Sequence, residues 1–176
     1  MRFPERVLAL LCERDLPFTM MHASTSRQSN IVVPTDAFGG TLLRTMLAFI
    51  DGQLSMLVIG SDQRIEPRLE FEAFHGSTVK LVEPGLLDTA FPELDINALP
   101  PLGNLWGMPV YVDPSVAEMT IVQFYLGSST DLVQMRTADL FRLVRPVVAG
   151  IAECSTIPAL QISRPPAEAS HAVLTA

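Results

Sequence analysis

Apolar residues recur along this chain with two spacings, and the spacing sorts the elements. Val7, Leu8, Leu10 and Leu11 form one stripe of a helix, so residues 4–14 read as amphipathic helix, with Pro4 suited to its first turn. Asp15-Leu16-Pro17 ends that pattern, and residues 18–22 read as a short strand. Residues 41–50 and 54–60 are nearly continuous apolar runs, the pattern of central strands covered on both faces. Asp51-Gly52-Gln53 between them is a hairpin signal. Residues 78–82 and 110–113 read as further strands. Residues 119–126 and 131–136 form a second hairpin around Gly127-Ser128-Ser129-Thr130. Leu69, Ala73 and Phe74 share a face of a helix expected over 64–74 and stopped at Gly76, and a short helix is expected over 84–91. Thr137 is placed to cap a last helix over 138–144, closed by Pro146. Residues 23–40 are polar and loop-like, and 92–108 are irregular, broken by Pro92, Pro100, Pro101, Gly103 and Gly107.

This order predicts an α/β domain: a mixed sheet with two hairpins and central strands, flanked by several helices. The folded unit is expected over residues 1–150. From about 155 prolines and small polar residues replace any periodic face, so 151–176 read as a flexible tail or the remnant of a linker. At 176 residues, 48% hydrophobic and 18% charged, the chain is too apolar for disorder and long enough for a sizeable core. No apolar run approaches the length of a membrane span, and the N-terminus lacks a signal-peptide pattern. Cys12 and Cys154 lie far apart with no metal-type spacing, which points to free thiols and a cytoplasmic setting.

Net charge is −7, and Lys80 is the only lysine among twelve cationic side chains. That balance argues against strong non-specific binding of nucleic acid, while leaving room for a small local site. Three scattered histidines and two lone cysteines make no metal set, and there is no glycine-rich phosphate loop, so neither metal nor cofactor is expected. The residues that stand out are few. Arg44 interrupts an apolar strand, and a guanidinium there needs either a ligand or a carboxylate such as Asp113 or Asp62. His22 ends the first strand, as a ligand contact or as part of a hydrogen-bond network. Asn97 to Gly103 is either a site-lining loop or a rigid proline turn. Asp113 precedes Pro114 and could cap the next turn. Gly127 is either a hairpin glycine or a point of close approach to a ligand. Ser128, Ser129 and Thr130 lack the adjacent base that a nucleophile requires.

Local sequence carries a further likeness over roughly residues 4–146. Asn97-Ala98-Leu99-Pro100-Pro101-Leu102-Gly103, then Met108-Pro109-Val110-Tyr111-Val112-Asp113, resembles the glycine-proline loop and following strand of the YbaK family, the prolyl-tRNA-synthetase-associated editing domains. Phe124-Tyr125-Leu126-Gly127, Leu132-Val133-Gln134-Met135 and Thr137-Ala138-Asp139-Leu140 are similar to its closing strands and last helix, and His22 matches its first strand end. The resemblance implies hydrolysis of the ester of mischarged tRNA, with the tRNA 3′ end or a small aminoacyl ligand as partner and water activated by the substrate's own ribose hydroxyl. It implies that Arg44, with Thr45, occupies the family's lysine position in a Lys-Ser/Thr-hydrophobic pattern and holds phosphate. Asn97 would stand for the first loop glycine, with Pro101 retained and the backbone of Leu102 and Gly103 polarising the carbonyl. Arg for Lys and Asn for Gly depart from the pattern, which keeps a catalytically degenerate ligand-binding or regulatory module as the alternative. The Pro-Pro-Leu-Gly loop, the Phe-Pro segment before it and the tail also look like YbaK-type domains at the N-terminus of HDOD signalling proteins, which implies a sensor or binding module; a homodimer or a partner signalling domain is the further partner expected.

Overall fold

The computed structural model describes residues 3–22, 39–65, 74–83, 85–86 and 94–154. Its elements run α1 (Phe3–Glu13), β1 (Phe18–His22), β2 (Thr41–Ile50), β3 (Gln53–Gly60), β4 (Gln63–Ile65) and β5 (Val79–Leu81). Two single 3₁₀ turns follow, Ile96–Ala98 and Gly103–Trp106. The chain closes with β6 (Val110–Val112), α2 (Pro114–Ala117), β7 (Ile121–Tyr125), β8 (Asp131–Arg136), α3 (Thr137–Val144), β9 (Val147–Val148) and β10 (Ala152–Cys154). This is the mixed α/β architecture that the sequence pattern predicts.

Seven strands pair in the order β1-β8-β7-β2-β3-β6-β9, β5 joins β2, and β10 pairs with β4 in a separate two-stranded ribbon. The β2–β3 hairpin turns at Asp51 (φ 49°) and Gly52 (φ 83°). Two successive positive φ values are what a two-residue hairpin loop demands and what Asp-Gly accepts. Strand alternation then divides the core. Leu43, Leu47, Met56 and Val58 face α1 residues Val7 and Leu11 in the larger cluster. Ala48, Ile50, Leu57 and Ile59 face Phe74 and Ile151 on the other side.

Several expectations need correction. Gln63–Ile65 is a strand where a helix is expected from 64, and most of the helices expected over 64–74 and 84–91, with the loop 23–38, lies outside the described residues. Arg136, with no side-chain cap bond, occupies the N-cap of α3; Thr137 lies inside the helix, and its buried hydroxyl has no partner among the described residues. The ordered chain passes residue 150: Ile151 is fully buried and Ala152–Cys154 pairs with β4. Residues 155–176 lie outside the described residues.

Candidate functional site

The sheet splits along one edge of β2. Thr41 and Leu42 pair in parallel with β7, and Ala48 to Ile50 pair antiparallel with β5. Between them residues 43–47 have a strand neighbour on the β3 side alone among the described residues, apart from the Leu47 carbonyl, which accepts from the Val82 N–H at 2.8 Å. An edge opened in this way leaves a notch in the sheet. The notch is a cleft of about 310 Å³, walled on one side by Arg44, Thr45, Met46 and Leu47 and on the other by Val82, Ile96, Asn97 and Leu99.

The far wall owes its position to a short chain of local bonds. Asp95 adopts an extended conformation and its carboxylate accepts from the Asn97 N–H at 3.0 Å, capping the first 3₁₀ turn. Leu99 precedes Pro100 and is extended (φ −64°, ψ 123°), as a residue before proline must be to avoid the ring. Asp95 N–H donates to the Gly127 carbonyl (2.9 Å), and Gly127 N–H donates to the Ala98 carbonyl (2.8 Å). The β7–β8 turn thus holds the loop from both ends. Gly127 has φ +82°, and a Cβ there would lie 2.6 Å from Leu94 Cδ2 and 2.9 Å from Phe3 Cδ1. Its close backbone approach is therefore to this loop and to α1.

Thr45 is the most informative wall residue. It is 8% exposed, lies on the Leu43–Leu47 face, and its hydroxyl oxygen has no partner among the described residues. A buried hydroxyl without a partner typically costs on the order of 1–3 kcal/mol. At the wall of an open cleft, that hydroxyl is offered to whatever enters. Arg44 projects from the opposite face by alternation and is exposed, so the expected buried guanidinium is corrected: its place at the split edge lets water reach it. Arg44 Nη2 donates to the Gln63 carbonyl at 3.0 Å. Gln63 Oε1 in turn accepts from Gly60 N–H at 2.7 Å and lies 3.1 Å from the Ser115 hydroxyl.

That network ends on Asp113, whose role is structural. Its Oδ1 accepts from the Ser115 N–H (3.0 Å) and hydroxyl (2.6 Å), capping α2, and its Oδ2 accepts from Ile151 and Ala152 N–H (3.1 and 3.0 Å). Burial disfavours its charge, but the hydrogen bonds from Ser115, Ile151 and Ala152 outweigh burial and hold the carboxyl below its ordinary value of 3.8. Both carboxylate oxygens are engaged, and Asp113 does not line the cleft.

The proline loop divides the same way. Arg44, Thr45 and Asn97 meet at the cleft; Pro101, Leu102 and Gly103 are buried and do not line it. The Leu102 N–H donates to the Pro100 carbonyl at 2.8 Å, so the backbone donor expected there is already used. A Cβ on Gly103 would lie 2.5 Å from Val110 Cγ2 and 2.7 Å from the Met108 carbonyl oxygen, so this glycine serves packing on β6. His22 pairs in register with Asp131, and its side chain lies outside the described residues. Met46, Leu47, Val82, Ile96 and Leu99 went unmarked in the sequence because apolar side chains look alike whether they line a core or a cleft. Among the described residues no group of three His, Cys, Asp or Glu gathers as a metal site, and no helix is long and apolar enough to cross a membrane.

Residues 22–143 match the aminoacyl-tRNA editing domain family. No curated protein sequence matches the chain significantly. Among solved structures, the hypothetical protein APE2540 is 18% identical with a TM-score of 0.69, covering 84% of this chain and 99% of its own. A candidate trans-editing enzyme for prolyl-tRNA synthetase is 18% identical with a TM-score of 0.67, covering 87% and 98%. A candidate signal transduction protein of Marinobacter aquaeolei VT8 is 19% identical with a TM-score of 0.63, covering 83% of this chain and 30% of that one. With the family match spanning more than half of its length and the same mixed sheet recurring in these structures, the chain belongs to the aminoacyl-tRNA editing domain family, the family of YbaK-like domains.

Proposed function

We propose that the protein is a deacylase that hydrolyses the ester of a mischarged aminoacyl-tRNA in the cleft at the split edge of β2. The observation that carries this reading is Thr45: a buried hydroxyl with no partner among the described residues, on the wall of an open cleft. Leu47, Val82, Ile96 and Leu99 supply apolar walls for a small uncharged side chain, and Arg44 supplies an exposed cation at the rim for phosphate or carboxylate. Water is the attacking group, and no described nucleophile–base pair competes for that role; the ribose hydroxyl beside the ester is the base that the substrate itself brings. The family match, with the fold shared with the solved structures above, supports the substrate class. The test is single-turnover hydrolysis of a panel of mischarged tRNAs, alanyl- and cysteinyl-tRNA(Pro) among them. At least one is cleaved well above the buffer rate, and rates equal to buffer for all would end the proposal.

A second reading is a binding module that has kept the cleft and lost the chemistry. Two observations favour it: the Leu102 N–H is already bonded to Pro100, and Asn97 places a side chain at the cleft mouth. The match to about a third of a larger signalling protein suits a module with a partner domain. On this reading Arg44→Lys with Asn97→Gly creates hydrolysis where the wild type has none; brisk wild-type hydrolysis would exclude it.

A further inference from the structure

Twelve cationic side chains are spread over a chain of net charge −7, yet three of them border one hollow. Arg14 at the end of α1, with Arg142 and Arg145 at the end of α3, line a cavity of about 390 Å³ floored by Leu16 and Leu143. The cleft described above lies elsewhere and shares no residue with it. We propose that this arginine hollow binds the phosphodiester backbone of an RNA strand, a contact that rests on the editing reading and extends it to the body of the tRNA.

Two features set these arginines apart from ordinary surface charge. Arg145 is the C-cap of α3 in the left-handed region, φ 52°, where glycine is the usual occupant. A residue with a Cβ is strained there, and the strain is met at a position whose side chain borders the hollow. Arg142 shares Asp139 with Arg136, at 3.4 Å and 3.1 Å, but the Asp139 contact engages a single nitrogen of a guanidinium with five N–H donors. Phosphate is the group that fits a set of planar, permanently charged forks. The carboxylates nearby in sequence, Glu13 and Asp15, are exposed like the three arginines and do not line the hollow. Cations at helix C-termini also complement the helix dipole, and that bland role predicts an effect on stability alone.

The placement suits a strand reaching the cleft. The Phe3 end of α1 rests on Gly127, which holds the cleft loop, and the other end leads to Arg14. An 11-residue helix spans about 16 Å, a distance of a few nucleotides.

The test is fluorescence anisotropy of the full chain with an RNA hairpin ending in a single-stranded 3′ tail, titrated at 50–200 mM KCl. Arg14→Ala, Arg142→Ala and Arg145→Gly combined should weaken binding about tenfold or more at low salt. They should also flatten the slope of log K against log salt by about two, since each lost phosphate contact removes about 0.7. Arginine-to-lysine changes at the same sites should restore most of the slope. If the triple variant fails to fold, Arg145→Gly alone carries the test: its backbone suits glycine, so it should melt no lower than wild type and still bind several-fold more weakly. Unchanged affinity and slope in a folded variant overturns the proposal, whereas displacement of the RNA by inorganic phosphate beyond that of chloride at equal ionic strength supports recognition of its phosphates. RNA binding that depends on the arginines without any deacylation sinks the hydrolase reading alone. Deacylation with RNA binding indifferent to them sinks this proposal alone.

Discussion

Asp113 and Thr45 are buried polar side chains of the same sheet, 4% and 8% exposed, in opposite circumstances. Every oxygen of Asp113 is engaged: it caps α2 and holds the chain at residues 151–152. The hydroxyl of Thr45 has no partner among the described residues. The difference separates two uses of buried polarity. A satisfied group binds the protein to itself, and removing it costs stability. A polar group at a cleft wall with no partner among the described residues is one that a ligand can meet, and removing it should cost function while sparing the fold.

That contrast can be broken in several places. Asp113→Ala should be the most damaging change, because it strands the Ile151, Ala152 and Ser115 N–H groups at once; a loss of about 3–5 kcal/mol is expected in urea unfolding. An unchanged midpoint would place Asp113 outside the load of the fold. Gly127→Ala comes next, at about 2–4 kcal/mol, since alanine must adopt φ +82° and its Cβ must displace Leu94 and Phe3. It should also weaken the cleft, because the 95–98 loop hangs on this turn.

Acid should act through Asp113 in the same direction. Its folded pKa lies below the ordinary 3.8, so the folded state favours the ionised form. The stability it contributes is complete above the ordinary carboxylate range and is lost as pH falls from there through the folded value. Thermal melts from pH 6 to pH 3 should therefore show a steeper decline for wild type than for Asp113→Asn, and parallel curves would contradict the assignment. Asp51 is shifted the same way by the Ser77 hydroxyl and the Thr78 N–H, but it is fully exposed and adds little to that slope. Arg44→Ala should change the melting temperature least of these, as the residue is exposed, and should weaken binding of an aminoacyl-tRNA by about tenfold.

Much of this frame is written in local sequence. Asp51-Gly52 announces a turn with two positive φ values, and the apolar runs beside it become β2 and β3. The pattern of 131–136 is β8 to the residue. What escaped depends on partners distant in sequence. Arg44 reads as a buried charge because its neighbours are apolar, yet it is exposed, on the stretch of β2 between its pairings with β7 and β5. Ile151 and β10 look like the start of a tail because the partners that bury and pair them, Phe74 and β4 among them, are far away along the chain. In the proline loop, Asn97 and Gly103 look equivalent as site residues; one faces the cleft and the other packs on Val110, a choice made by two 3₁₀ turns too short to leave a periodic signature.

The central claim is that the notch in the sheet is the working site, and Thr45→Val tests it most directly. Valine keeps the shape and removes the hydroxyl oxygen. Hydrolysis of the best mischarged tRNA should fall at least tenfold, while the melting temperature holds or rises by a few degrees, in line with about 1 kcal/mol regained. Full activity in the valine variant, or a loss of stability in place of a loss of activity, would contradict the account.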